Sequence, residues 1–400
     1  MDIFSPAKLA NLTLQNRIIR SATFEGMADE NGFVTERYIK FYDELSKQNI
    51  GAIICGFSFI SPDGRAMQPG QIGVDAPDKI PLLQKLTHAV HRNNGVLIMQ
   101  LAHAGRQTLE SITHKKTVSS SAVRSIYFNQ KPKELSIKEI EIIVEQYGNA
   151  ALYCKQAGFD GIQLHAAHGY LIHQFITPAI NRRRDIYGID NKKGVGTQFL
   201  KEIIDNIRQK CGAAYPILLK VSGSDDLHPK FTPLQFINLV KFLHQQPIDA
   251  IEISYGTMDY AINIFRGDIP VKTILKHNPI YKTENRVAKL LWKSFVLPFL
   301  KYKIKPYSPA YNLHFAQLAK EHTTKPIISV GGFRNRDEMV MALQNKIEFV
   351  SLSRPFICEP DFVKKIEKEP NHQSKCTNCN ICAIMCDTKY ETHCYSSKTT

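Results

Sequence analysis

The stretch Phe159-Asp-Gly-Ile-Gln-Leu164, followed at once by His165-Ala-Ala-His168-Gly-Tyr170, decides the fold. Its first half is a short apolar run, the pattern of a buried β-strand. Its second half carries two imidazoles and a phenol. These side chains therefore leave the end of the strand together and enter a loop, which is where a rigid scaffold positions binding and catalytic groups.

The same strand pattern recurs along the chain and alternates with longer amphipathic stretches. The predicted strands cover residues 17–22, 50–56, 95–101, 159–166, 215–222, 248–254, 325–331 and 347–353. The predicted helices cover residues 35–48, 79–93, 136–157, 196–211, 232–246, 308–322 and 334–345. This alternation predicts parallel strands with crossover helices, and eight strands predict an α/β fold of the TIM (β/α)8 barrel type over residues 1–370. A doubly wound sheet usually has a glycine-rich fingerprint after its first strand, and none follows residues 17–22.

Composition narrows the class of protein. Hydrophobic residues make up 43% of the chain and charged residues 22%, as in ordinary soluble globular proteins. No run of about 18 apolar residues is present, and the N-terminus does not resemble a signal peptide, so we expect a cytoplasmic protein. Five of the nine cysteines lie between Cys376 and Cys394, which favours a metal or cluster site over a disulfide framework.

Residues 257–307 interrupt the alternation after the sixth strand and contain the only tryptophan, Trp292. Ten lysines and arginines lie between Arg266 and Lys305 against two acidic residues, so this part supplies much of the formal net charge of +14. We expect the insertion to lie over the barrel mouth as a lid. A subunit contact and an interfacial helix are the alternatives. A solvated basic loop is favoured over nucleic-acid binding.

Polar residues also follow other predicted strands. The third strand continues into Gln100-Leu-Ala-His103-Ala-Gly-Arg106, whose polar groups suit a planar heterocycle as well as a structural role. Gly331-Gly332-Phe-Arg334 follows the seventh strand, and Ser353-Arg354-Pro355 follows the eighth. The loops after strands seven and eight are the recurrent phosphate site of α/β barrels, so these residues predict a phosphate site.

Together these motifs resemble the Old Yellow Enzyme family of FMN-dependent NADH:flavin oxidoreductases, over about residues 2–370. The resemblance rests on Asn16-Arg17 with Ser21-Ala22-Thr23, on the Gln100 and His165 blocks, and on the two phosphate motifs. It implies an FMN across the top of the barrel. The residues that it implies for FMN binding are Ser21, Ala22, Thr23, Gly56, Gln100, Lys220, Gly331, Gly332, Arg334, Ser353 and Arg354.

The resemblance also implies roles for the opening block. His165 and His168 match the pair that binds the carbonyl or nitro oxygen of an activated alkene, and Tyr170 matches the proton donor. A zinc pair is the alternative, but no third ligand has a suitable spacing. Lys220 stands where many relatives have arginine. Phe24 stands where many have the Cys or Thr that hydrogen-bonds the flavin, which implies a different redox poise or a bulkier substrate wall.

The cysteine-rich tail, residues 371–400, predicts a cluster or metal-binding module. Cys376, Cys379, Cys382 and Cys386 have the spacing of a bacterial ferredoxin run. With Cys394 in place of Cys386, the set resembles that of the 2,4-dienoyl-CoA reductase and trimethylamine dehydrogenase group, whose chains continue into nucleotide-binding domains. A [4Fe-4S] cluster is expected and zinc is the alternative. A cluster would pass electrons between FMN and an external partner.

We therefore expect an ene reductase-like enzyme that transfers hydride between flavin N5 and an activated alkene, with NAD(P)H or a protein as electron donor. One alternative is an FMN/Fe-S dehydrogenase acting on a small amine or alcohol-like substrate. Another is a flavin/Fe-S electron-transfer or binding protein. A small-molecule substrate is expected, whereas nucleic-acid binding and stable membrane insertion are not. An electron-transfer protein partner and an oligomer both remain open.

Overall fold

Eight parallel strands form the centre of the computed structural model, which describes residues 2–396. We number these barrel strands β1 to β8. They are β1 Ile18–Arg20, β2 Ala52–Ile54, β3 Leu97–Ala102, β4 Gly161–Ala166, β5 Ile217–Ser222, β6 Ala250–Ser254, β7 Ile327–Val330 and β8 Phe349–Leu352. Each lies within a span predicted from the sequence, apart from the last residue of β3.

Strand pairing closes the sheet into a barrel. β2 pairs with both β1 and β3, and β1 pairs in parallel with β8, so the ring has no free edge. The remaining neighbours follow chain order, as in the register Lys220 to His165 between β5 and β4. The prediction of a TIM barrel is confirmed.

Helices surround the strands, as the amphipathic periods predict. They are α1 Glu36–Ser46, α2 Ile80–His91, α3 Ile137–Gln156, α4 Gln198–Cys211, α5 Pro233–Gln245, α6 Leu313–Lys320, α7 Arg336–Gln344 and α8 Phe362–Lys368. α3 and α5 begin at capping boxes, in which Ser136 pairs with Glu139 and Thr232 with Gln235. Such boxes satisfy backbone N–H groups that a helix start leaves without partners.

A short hairpin closes the amino-terminal end of the barrel. Ala7–Leu9 pairs antiparallel with Leu12–Leu14, and Leu9 and Leu14 join a buried cluster that includes Ile54 and Phe349. The apolar plug leaves only the carboxyl ends of the strands open for chemistry, which is where TIM barrels place it.

The connection between β6 and α6 contains the insertion. Its helical segments are Ile262–Phe265, Val271–His277, Arg286–Leu291, Trp292–Val296 and Leu297–Lys303. In the tail, helix Ile381–Met385 packs against Val271–His277. The remaining strands are Ser58–Phe59, Val118–Ser119 and Lys133–Glu134, and the remaining helices are Pro62–Gly64, Pro77–Lys79, Glu110–Thr113, Leu171–Ile176, Met258–Tyr260 and Arg354–Cys358.

Candidate active site

A cavity of about 390 Å³ lies at the carboxyl ends of the barrel strands. Three parts of the chain enclose it: the strand ends, the insertion and the cysteine-rich tail. All the expected flavin and catalytic residues except Gly56 line it. They are Ser21, Ala22, Thr23, Gln100, His165, His168, Tyr170, Lys220, Gly331, Gly332, Arg334, Ser353 and Arg354.

Glu252 is the centre of the polar network beneath the cavity. This carboxylate on β6 is fully buried and accepts hydrogen bonds from Ser21 (2.7 Å), Ser351 (2.6 Å) and Gln163 (2.7 Å). Its Oε1 also lies 3.3 Å from the Lys220 Nζ. Burial raises the pKa of Glu252, but Lys220 and the three hydrogen bonds outweigh burial and leave the pKa below its usual value. The network therefore holds a charged carboxylate that joins β6 to residues of β4, β5 and β8 and to Ser21 just after β1.

Lys220 and Gln100 reach the cavity from this network. The Lys220 Nζ donates to the Ser21 hydroxyl over 2.7 Å, so the lysine both forms an ion pair and lines the cavity. The Gln100 amide donates to Gln163 over 2.7 Å, which fixes its orientation. Charge and amide groups thus stand at one end of the cavity in fixed positions.

His165, His168 and Tyr170 gather beside these groups. The His165 ring centroid lies 4.7 Å from that of Tyr170 and 5.0 Å from that of His168. Burial, with a smaller contribution from Lys220, holds the pKa of His165 well below its usual value, and burial and His165 do the same for His168. Both imidazoles are therefore neutral near pH 7, when each carries one N–H donor.

The three side chains differ in their hydrogen bonds. His168 Nε2 lies 2.8 Å from the Ser254 hydroxyl, whereas His165 Nδ1 is buried without a hydrogen-bond partner. Burial raises the pKa of Tyr170 above its usual value, and the nearby Cys386 and Asp387 raise it further. Tyr170 is therefore a protonated phenol at neutral pH.

The far end of the cavity is suited to a phosphate. Gly331 and Gly332 have φ angles of +117° and +91°, which favour glycine. The Arg334 side chain is buried, and its Nε and Nη1 have no hydrogen-bond partner. By contrast, Arg354 donates to the Arg266 carbonyl over 3.0 Å and to Asn380 over 2.8 Å. Arg334 is thus the cation with free donors, while Arg354 holds the insertion and the tail.

Aromatic rings form the cavity wall near the end of β2. Phe57 lies 5.7 Å from Phe24 and 5.4 Å from Tyr170, measured between ring centroids. Gly56 itself packs under this wall, because a Cβ there would lie 2.6 Å from the Thr23 carbonyl oxygen. Gly56 therefore lets the segments after β1 and β2 pack closely, and its neighbour Phe57 lines the cavity.

A buried carboxylate from the tail stands on the same wall as Tyr170. Asp387 accepts hydrogen bonds from Gln68 (2.7 Å), Asn278 (3.2 Å) and Tyr127 (3.4 Å). Burial raises its pKa to about 7, although hydrogen bonds oppose the rise. Within residues 2–396 no lysine, arginine or histidine forms an ion pair with it. The neighbouring Cys386 donates its S–H to the Ala383 carbonyl over 3.0 Å and also lines the cavity.

The other tail cysteines lie close to one another, and one of them, Cys382, also lines the cavity. Burial raises the pKa of Cys382 to about 12, and Cys376, Cys379 and Cys394 lie near enough to add to the rise. Cys358, at the end of helix Arg354–Cys358, interacts with Cys394 and Cys376. Among residues 2–396, no three His, Cys, Asp or Glu side chains are arranged so as to surround a metal ion. The thiols are therefore neighbours in this structure but do not form a closed ligand shell.

Backbone hydrogen bonds hold the tail across the barrel mouth. Ser374 donates to the Arg334 carbonyl over 2.8 Å, and Thr392 donates to the Glu25 carbonyl over 2.8 Å. Asp268 of the insertion donates to the Asn378 carbonyl over 3.0 Å. The tail therefore forms part of the cavity wall.

The sequence did not point to Glu252 or Asp387 as site residues, and it left His103 and Arg106 with either a ligand-binding or a structural role. Glu252 was detectable as one charge within the apolar strand Ala250–Ser254, whereas Asp387 had no signal beyond its place beside Cys386. Arg106 forms a buried ion pair with Asp259 over 2.7 Å, and His103 packs against Gly64. Of Gln100, His103 and Arg106, only Gln100 lines the cavity, so His103 and Arg106 have structural roles.

Comparison with known proteins agrees with this geometry. Residues 2–298 and 299–373 match the model of the NADH:flavin oxidoreductase / NADH oxidase family. The chain is 28% identical over 386 residues to a 4,4'-dithiodibutanoate disulfide reductase of Rhodococcus erythropolis, covering 95% of this chain and 92% of the relative. It is 29% identical over 388 residues to an NADH oxidase of Thermoanaerobacter brockii, covering 96% of this chain but 53% of the relative.

A solved structure shows the same fold. A 2-naphthoyl-CoA reductase in complex with 2-naphthoyl-CoA aligns with a TM-score of 0.80 at 23% identity, covering 98% of this chain and 56% of that one. The chain thus spans most of one relative and about half the length of the other two proteins.

Proposed function

Since this chain belongs to the NADH:flavin oxidoreductase / NADH oxidase family, which is that of Old Yellow Enzyme, we propose that it binds FMN in the cavity and reduces an electron-poor double bond. Membership makes it an NAD(P)H:flavin oxidoreductase. One observation supports the proposed substrate class above all others. A neutral His165 with an unpartnered buried nitrogen stands beside the protonated Tyr170.

The cavity residues fit FMN at both of its ends. Two nitrogens of Arg334, Nε and Nη1, have no hydrogen-bond partner, and a phosphate is an acceptor that matches a guanidinium. Lys220 and Gln100 at the opposite end suit the pyrimidine edge of the ring system, where a cation stabilises negative charge. When bound, FMN supplies the hydride chemistry of the reaction.

The imidazoles are proposed to bind the substrate oxygen. A neutral N–H donor aimed at a carbonyl or nitro oxygen stabilises the negative charge that grows there as the double bond is reduced. One well-placed donor of this kind is worth about 3–4 kcal/mol. Ser254 holds His168, so that its ring is oriented before the substrate arrives.

Tyr170 is proposed to deliver the proton that completes the reduction. The phenol O–H bond breaks as a C–H bond forms at the carbon next to the activating group, and solvent returns the proton. Because burial makes Tyr170 a weak acid, it protonates only a strongly basic carbon. A proton donor of this kind contributes typically 10²–10⁴-fold to a rate.

Anaerobic stopped-flow spectroscopy tests this function. Enzyme reduced by NADH, NADPH or light is mixed with a cyclic enone or a nitroalkene, and flavin reoxidation is followed. We expect Tyr170→Phe to slow reoxidation by the enone about 100-fold or more while reduction by NAD(P)H is unaffected. Tyr281→Phe is the matched control, since it removes another phenol from the same cavity. A wild-type enzyme that is indifferent to every activated alkene would refute the proposal.

Asp387 favours a second candidate function, the oxidation of a small amine. A buried carboxylate without a cationic partner, in a cavity with aromatic walls, suits a protonated amine. Asp387→Asn then weakens amine binding but leaves enone reduction in place, and Glu369→Gln serves as a surface control. Two results together would exclude this candidate: enones reoxidise the photoreduced enzyme, and no amine reduces the oxidised enzyme.

We further propose that Cys376, Cys379, Cys382 and Cys394 hold a [4Fe-4S] cluster. Cys382 interacts with the other three cysteines and also with Cys386, but the Cys386 thiol already donates to the Ala383 carbonyl. Iron and zinc analysis, with EPR of the dithionite-reduced protein, tests the set. Cys382→Ser and Cys394→Ser should lose the iron, and Cys386→Ser should keep it. Equimolar zinc without an EPR signal would refute the cluster, and loss of iron in Cys386→Ser alone would refute the ligand set.

A further inference from the structure

Three helical segments of the insertion follow one another without a break. They are Arg286–Leu291, Trp292–Val296 and Leu297–Lys303, and we call them together the 286–303 helix. Trp292–Val296 is a π-helical turn between two α-helical segments. At the α-helical rise of about 1.5 Å per residue, 18 residues span about 27 Å. The helix therefore presents long faces, and each face has a distinct character.

One face is apolar and exposed. Its residues recur every three or four positions, which places them along one side of a helix. They are Val287, Leu290, Leu291, Phe295, Phe299 and Tyr302, and each is between 51% and 83% exposed. A contiguous apolar stripe of this kind on a soluble protein marks an interaction surface.

A neighbouring face of the helix belongs to the cavity. Trp292, Val296 and Leu300, spaced four residues apart, line the cavity, and Phe299 at the edge of the exposed stripe also reaches it. The helix is thus anchored over the active site by one apolar face while a second apolar face remains exposed. Anchoring keeps the exposed stripe in a fixed position on the protein.

Basic residues accompany the exposed stripe. They are Arg286, Lys289, Lys293, Lys301 and Lys303, and residues 286–303 contain no aspartate or glutamate. Lys289 pairs with Glu284 over 3.3 Å, whereas Arg286, Lys293, Lys301 and Lys303 are exposed. The surface therefore combines apolar side chains with a net positive charge.

Charge and apolarity together select the partner. A second copy of this chain would bring like charges face to face, and a nucleic acid would leave the apolar stripe in water. An anionic lipid surface matches both features, because acyl chains cover the stripe and lipid phosphates meet the lysines. No helix among residues 2–396 is long and apolar enough to cross a membrane.

We propose that the 286–303 helix docks this enzyme on an anionic lipid surface. The apolar stripe enters the headgroup boundary, and the basic side chains contact lipid phosphates. The docked helix then has lipid on one side and the active-site cavity on the other. This inference goes beyond the proposed reaction and does not depend on it.

Vesicle co-sedimentation of the full-length holoenzyme tests the proposal. Vesicles of phosphatidylcholine mixed with phosphatidylglycerol are compared with vesicles of phosphatidylcholine alone. We expect binding to the anionic vesicles only, weakening as salt is added. Lys293→Gln and Lys301→Gln should each weaken binding about five-fold, because one basic residue near the surface contributes about that factor. Lys241→Gln, on the exposed side of α5, is the matched control.

A second readout locates the contact. Phe295→Trp places an indole on the exposed stripe, and brominated lipids in the anionic vesicles should quench it. Ile142→Trp, at another exposed apolar position on α3, should not be quenched. Quenching at both positions, equal binding to neutral vesicles, or no binding to anionic vesicles at low salt would overturn the proposal. So would a stable dimer that Phe295→Ser converts to a monomer, or capture of an acidic protein in preference to the vesicles.

Discussion

Replacing Glu252 with glutamine should destabilise the barrel and disturb the floor of the active site. Glutamine has the same shape but removes the charge that faces Lys220 over 3.3 Å. It also places an amide NH2 opposite the NH2 of Gln163, which now donates to Glu252 over 2.7 Å. Relief of this clash requires the Gln163 amide to rotate. Because the Gln100 amide donates to the Gln163 amide over 2.7 Å, this rotation also reorients Gln100.

The magnitude follows from burial. Glu252 and Lys220 are both almost fully buried, so water cannot replace the lost partner. Breaking a buried ion pair by removing one member costs about 3–5 kcal/mol, because the other charge stays buried alone. Lys220→Met should cost a similar amount. The double variant, which removes both charges, should cost clearly less than the two single changes together.

Urea unfolding of the FMN-saturated protein provides the assay, with FMN at two concentrations so that its contribution can be separated from the ion pair. Because the Glu252 pKa is below its ordinary value, its stabilisation is present above that ordinary value and disappears as the pH falls through the folded pKa. Glu252→Gln should therefore lose this acid-sensitive component. A loss below about 1 kcal/mol, or strict additivity in the double variant, would refute the reasoning.

Further predictions concern single positions. Arg334→Ala should weaken FMN binding about 10- to 100-fold in fluorescence titrations, because its free N–H groups would contact the phosphate, and Arg336→Ala on the surface should have little effect. Because the pKa of Asp387 is raised to about 7, the wild-type protein should lose stability as the pH rises from about 4 to about 7. The melting temperature of Asp387→Asn should therefore rise relative to that of the wild type over this range, and a constant difference would contradict this. Gly332→Ala should lower the melting temperature, because its Cβ would lie 2.6 Å from the Ala310 nitrogen at a φ of +91°, and unchanged melting would contradict the strain. His165→Ala should weaken phenol charge-transfer complexes, seen as loss of the long-wavelength absorbance, whereas unchanged complexes would remove His165 from ligand binding.

Local pattern was sufficient for the barrel. The strand period, the helix period and the capping residues depend on neighbours in the sequence, and all eight strands appear where the periods predict them. The block His165 to Tyr170 was likewise visible, because the end of a strand and its loop are consecutive in the chain. The position of Lys220 in a predicted strand was also evident from the sequence. Its hydrogen bond to Ser21 was not, because the two residues are 199 positions apart in the chain.

The tail shows where local pattern stops. Spacing allowed either Cys386 or Cys394 beside Cys376, Cys379 and Cys382, since both lie a short distance along the chain. Helix Ile381–Met385 packs on Val271–His277. The two cysteines then have different neighbours, since Cys394 interacts with Cys358 and Cys382, whereas Cys386 donates to the Ala383 carbonyl and lies near Tyr170. The sequence pattern does not predict which side of helix Ile381–Met385 faces the cavity, because distant segments of the chain form that cavity.

The sequence by itself therefore determined the barrel, its eight strands and the imidazoles and phenol at the end of β4, since periodicity and adjacency act over a few residues. The tertiary structure alone decided that Glu252 joins several barrel strands, that Arg334 rather than Arg354 keeps free donors, and that the tail places Asp387 on the cavity wall. Those outcomes depend on burial and on hydrogen bonds between segments far apart in the chain, and these exist only once the barrel has closed.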